Sequence, residues 1–197
     1  MQPSDVTDQR GLEFFGCVVT SFSITADANS DGGQYKWSAT LKTGKKPDLA
    51  STAAPVINAY LNTDIPMLSS SSGHKVFAKE VILASFTTAI ESEAIFTGMS
   101  ADGYQVVSRG SEVSVTADAQ VKYDTNTKTL INDFDTQTGA LSGNMFVITN
   151  NNAFGVLIDN GVFTNVALSE GDVMMLDCSI KSVDDGTEDL VTFDVSA

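Results

Sequence analysis

The chain holds a single histidine, His74, and two cysteines, Cys17 and Cys178, so side chains that carry most enzymatic chemistry are scarce among its 197 residues. A serine–histidine–acid triad would have to use His74, which lies in a stretch rich in Ser and Gly, and no Gly-x-Ser-x-Gly elbow accompanies it. Paired carboxylates are available: Glu91 and Glu93, or Asp133 and Asp135, stand two apart. On a strand such a pair shares one face, as a glycosidase acid and base could. Sugar-cleaving grooves also bring aromatic rings to stack on the substrate, and one Trp and four Tyr are few for that purpose. There is no Gly-Lys-Ser/Thr run and no G-x-G-x-x-G, so phosphate cradling has no support. No catalytic residue, no cofactor-binding residue and no metal ligand is assigned, and the chain reads as a non-enzyme.

Two local patterns need weighing. In DANSDGG, Asp27, Asn29, Asp31 and Gly32 have the spacing that opens an EF-hand calcium loop. The bidentate Glu that such a loop needs at its twelfth position is here Ser38, and both flanks read as strand rather than helix. An ordinary hairpin loop fits better. Trp37 lies on the same side of a strand as Tyr35 and Leu41, which reads as a core or subunit-interface anchor, with a binding platform as the alternative.

Charge is the strongest global signal. Net charge is −14, of which −3 falls in residues 1–99 and −11 in residues 100–197. Between Lys128 and Lys181 there is no Lys or Arg, while Asp133, Asp135, Asp159, Glu170, Asp172 and Asp177 all lie in that gap. Such a field repels nucleic-acid phosphates, which argues against a sequence-reading DNA binder but not against DNA sliding past. The apolar fraction of 42% is enough for a core. Residues 1–11 are polar and offer no apolar stretch for a secretion signal. The longest uncharged stretch, residues 136–158, is full of Asn, Thr and Gly, so a membrane helix is rejected. Two buried free thiols on strands are expected in preference to a disulfide.

Hydrophobic periodicity gives the elements. Residues 14–26 alternate as a strand, with Phe22 and Ile24 on its apolar side; residues 35–42 return as a second strand after the 27–33 loop. Residues 43–74 read as a long connection, in which Pro55 could open a short helix or break a strand. Residues 75–96 form a second strand block, and residues 104–107 and 112–123 two further strands; Val113, Val115, Ala117, Ala119 and Val121 alternate strictly with polar neighbours. The period then changes: Leu130, Ile131 and Phe134 predict one helix over about residues 126–138, with Thr125 or Asn126 as cap and Gly139 as stop. Short strands are expected at 144–149, 154–158, 161–168, 172–182 and 189–196, with hairpin turns at Asn160–Gly161 and at 170–172. The stretches 18–26 and 82–90 share a Ser-Phe and its apolar surroundings, a faint internal echo. The fold class is mainly β, an antiparallel sandwich or barrel with one flanking helix, in a single domain over residues 14–197 behind an arm at 1–13.

The order of these elements resembles the tail tube proteins of long-tailed bacteriophages. The similarity runs over residues 14–197 and lies in arrangement: FFGCVVTSFSITAD, QYKWSATLKTG, the connection DIPMLSSSSG, KEVILASFTTAIES, GMSADGYQVVSRGSEVSVTADAQVKYD, the helix NTKTLINDFDTQTG, and short strands closed by ALSEGD at 167–172. The arm is shorter than many in that family. The resemblance implies homo-hexameric rings stacked into a tube, joined to other tail proteins in a virion assembled in the host cytoplasm. Genomic DNA would pass through an acidic lumen without specific binding, and no membrane is involved. Residues 14–41 and 81–121 would line the lumen, and the 27–33 loop would contact another subunit or ring. Two other classes stay open: a virion decoration or fibre-base β-sandwich protein, and a carbohydrate-binding or adhesion module.

Overall fold

The computed structural model describes residues 10–46, 48–53, 68, 73–150, 154–169, 171–187 and 189–194. Expectations for residues 1–9, 54–67 and 69–72 lie outside them. The fold is mainly β, with antiparallel sheets and one α-helix, as the alternation predicts. The strands are β1 (Arg10–Glu13), β2 (Val18–Asp27), β3 (Lys36–Lys42), β4 (Asp48–Ala53), β5 (Lys75–Val76), β6 (Lys79–Glu80), β7 (Leu83–Met99) and β8 (Gln105–Lys122). After helix α1 (Thr129–Thr136) come β9 (Phe146–Asn150), β10 (Phe154–Ile158), β11 (Gly161–Ser169), β12 (Met175–Ser182) and β13 (Thr192–Asp194). Six strands form one sheet in the order β11-β12-β8-β7-β2-β3, five form a second in the order β13-β10-β9-β5-β6, and β1 pairs with β4 alone. The two echoing stretches are therefore neighbours, β2 beside β7.

The chain divides into two compact units. The larger comprises Phe22–Ser38, Ile65–Glu91 and Ser114–Ala197. Here the five- and six-stranded sheets face each other across an apolar core. Phe86 of β7 and Phe146 of β9 meet at 6.1 Å between ring centroids, and Phe22 of β2 meets Phe193 of β13 edge-on at 5.8 Å. Val115, Ala117, Val121, Leu176 and Ile180 fill the same layer, buried from β8 and β12. Each large side chain so buried contributes about 1.5–3 kcal/mol. The thiol of Cys178 is part of this core, and burial, reinforced by the neighbouring Asp177 carboxylate, pushes its pKa up to about 12. Both cysteines are free, Cys178 buried on β12 and Cys17 half-buried just ahead of β2.

Helix α1 belongs to this unit and is shorter than the periodicity predicts. Neither Thr125 nor Asn126 caps it; Lys128 occupies the N-cap without a side-chain bond, and Gln137 ends it. The turn ahead does the work instead. The Asp124 carboxylate accepts the N–H of Asn126 at 2.8 Å and of Thr127 at 3.1 Å, and the buried Thr127 hydroxyl donates to the Lys122 carbonyl at 2.8 Å. The bond from Thr127 holds the Asp124 carboxyl below the usual carboxylate range, with burial opposing it. Leu130 plugs the helix into the core, and Lys79 of β6 makes an ion pair with Asp133.

The smaller unit comprises Met1–Ser21, Ala39–Asp64 and Ser92–Val113. It contains the β1–β4 pair and one end each of β2, β3, β7 and β8. The Lys45 ammonium lies 4.5 Å from the Phe15 ring centroid and 5.9 Å from that of Tyr104. Gly44 backs onto Gln105, where a Cβ would strike the backbone.

Two turn assignments give way to strand or crossover. Ser108–Ser111 does not break the chain into two strands: β8 runs through it, and Gly110 keeps extended backbone because a Cβ there would approach that of Glu93 at 3.1 Å. Gly110 is a packing glycine, not a turn glycine. Asn160–Gly161 likewise makes no hairpin, since β10 and β11 lie in different sheets. The 170–172 turn does join a hairpin, β11 to β12, with Ser169 opposite Met175.

Candidate interaction surface

The residues weighed for chemistry are not brought together. His74 is 2% exposed, its Nδ1 accepting the Thr149 N–H at 3.2 Å. Its imidazole is a core polar group. Asp27 turns its carboxylate inward on its own loop, accepting the Asn29 N–H at 2.8 Å and the Ser30 hydroxyl at 3.1 Å. Gly32 and Gly33 follow with φ of 65° and 76°, the left-handed backbone that glycine accommodates. That is a hairpin loop, as the flanking alternation implies. Among the described residues no three or more His, Cys, Asp or Glu group as metal ligands would, and no helix is long and apolar enough to cross a membrane.

What the fold does build is a broad polar sheet face. Across β8 and β12, Ala117 is opposite Ile180, Ala119 opposite Cys178 and Val121 opposite Leu176, all buried. The intervening pairs, Thr116 with Lys181, Asp118 with Ser179 and Gln120 with Asp177, therefore lie on the opposite face. Gln120 Nε2 donates to Asp177 Oδ1 at 2.9 Å. On β7, burial of Phe86 and Thr88 places Ser85, Thr87, Ala89 and Glu91 on this face. On β2 and β3 the Ser23 and Ser38 hydroxyls bond at 2.9 Å, continuing the pattern. Short hydroxyl side chains dominate. The second hairpin adds carboxylates, and β3 adds Lys36 and Lys42.

The edges of this sheet are unequal. At β11 the Gln137 amide takes both backbone groups of Phe163, its Nε2 donating to the carbonyl at 2.6 Å and its Oε1 accepting the N–H at 3.0 Å. Leu141 and Gly161 bridge nearby. Helix α1 thus delivers a side chain that blunts the edge. At the other end β3 is the terminal strand, and all seven of its residues are exposed. Trp37, expected as a core or interface anchor, is 73% exposed and not core; Leu41 is 55% exposed. Sequence reasoning singled out neither Gln137 nor the edge difference, because both depend on which strands end up outermost.

A scan against models of known protein families finds no match to this chain, and a comparison with curated proteins finds no significant relative.

Proposed function

We propose that this chain is a structural subunit of a viral tail tube, assembling into rings that stack as a hollow conduit for DNA. One observation supports this reading above others: the two hairpins β2–β3 and β7–β8 lie side by side as a continuous four-stranded stretch, with a hydroxyl-rich face and an open edge strand. A wall of short Ser and Thr side chains, with Glu91, Glu93, Glu112 and Asp118 on β7 and β8, offers DNA phosphates few donors and repels them. An uncovered edge as long as β3 is an association site in itself. The acidic surplus of the chain as a whole keeps polyanionic cargo moving.

Sedimentation velocity over a hundredfold concentration range tests the reading. A discrete oligomer of about six copies is expected, with larger species at high concentration. A single monomer boundary throughout would overturn it. The 73% exposure of Trp37 favours a second reading, a glycan-binding or adhesion module. Quenching of Trp37 fluorescence by an oligosaccharide, in protein that stays monomeric, would establish that reading in place of the first.

A further inference from the structure

The sheet has a second uncovered edge, internal to its strand order. β12 pairs with β8 only from Thr116 to Lys122, so Gln105–Val113 has β7 on one side and, among the described residues, no strand on the other. That segment lies in the smaller unit, as does Ala39–Lys42 of β3. With β11 blunted by Gln137, the two edges left to pair are β3 and the first half of β8.

We infer that β3 of one copy adds onto the Gln105–Val113 segment of β8 in a second copy, head to tail. This rests on the tube reading above and specifies its subunit contact. Charge selects the pairing. A two-fold contact of β3 with itself, centred on Ala39, sets Lys36 opposite Lys42, like charges at cross-strand distance. Against β8 the same lysines share a sheet face with Glu112, while Trp37 and Leu41, on the other side of β3, are offered Val107 and Val113. A head-to-tail contact uses two different edges, leaves one of each open on any chain of copies, and ends only by closing into a ring.

Disulfide trapping tests this. In a Cys17→Ser background, Thr40→Cys is combined with Ser108→Cys or with Glu112→Cys, all at exposed positions. Mild oxidation is expected to give a ladder of covalent oligomers from at least one pair, and none from Thr40→Cys alone. Dimers from Thr40→Cys alone would reveal the two-fold contact and overturn the inference. Tubes or rings in the microscope with no ladder from either pair would overturn the strand assignment while leaving the tube reading intact. Absence of any oligomer would remove both. Charge exchange gives an independent readout: Lys42→Glu abolishes assembly and Lys42→Glu with Glu112→Lys restores it, whereas assembly untouched by Lys42→Glu would count against this contact.

Discussion

His74 Nδ1 accepts the backbone N–H of Thr149 at 3.2 Å, tying the residue ahead of β5 to β9 in the five-stranded sheet. The acceptor role places the imidazole proton on Nε2. The His74 carbonyl accepts the Val81 N–H at 3.0 Å, so both ends of the residue are used structurally. His74→Ala should lower stability by about 2–3 kcal/mol, from the cavity and the stranded Thr149 N–H. His74→Asn, whose side-chain oxygen can replace Nδ1, should recover part of it. Urea unfolding followed by circular dichroism checks both.

The Lys79–Asp133 ion pair fastens α1 to the β5–β6 hairpin, with side chains 27% and 22% exposed. Being mostly shielded, it should couple more strongly than a surface pair. A double-mutant cycle with Lys79→Met and Asp133→Asn is expected to give a coupling of about 1–2 kcal/mol. A coupling near zero would mean that Leu130 packing alone holds the helix.

Alkaline stability has a defined sign. Cys178 is raised from 9.0 to about 12 and Tyr35 from 10.0 to about 12, both by burial, with Asp177 adding to the first. Each folded value exceeds the unfolded one, so stability is fully present below pH 9 and is lost as pH rises toward 12. The urea midpoint should fall between pH 8 and pH 10.5, and Cys178→Val should flatten the first part of that decline. With a thiol reagent at pH 8, Cys17 should react in the native protein and Cys178 only after unfolding.

Asp124 works in the opposite direction. Its carboxyl is held low by the Thr127 N–H, so its contribution is present above pH 3.8 and disappears as pH falls through the lowered value. Asp124→Ala should cost about 1 kcal/mol at pH 7, as loss of a turn-capping carboxylate does. The gap between wild type and variant should close on acidification, measured as the difference in unfolding midpoint from pH 7 to pH 3.

Much of the fold was legible because alternation is a local signal. The strict period-two run Val113, Val115, Ala117, Ala119, Val121 appears as the buried side of β8, with Val113 half-buried at its start. Leu130 marks the buried face of the helix as its spacing requires. Glycines misled where tertiary approach rather than turning decides them: Gly110 packs on Glu93, and Gly161 sits where a Cβ would come within 2.9 Å of the Lys181 carbonyl. His74 read as an exposed linker residue because burial by β9 comes from far along the chain. The edge inventory, with Gln137 closing β11 and nothing closing β3, is a property of sheet order, and no local pattern encodes it.

Negative-stain electron microscopy of the purified chain at high concentration tests the central claim most directly. Rings or hollow tubes of uniform width are the predicted result. A field of single compact particles that stays unchanged as concentration rises would contradict it.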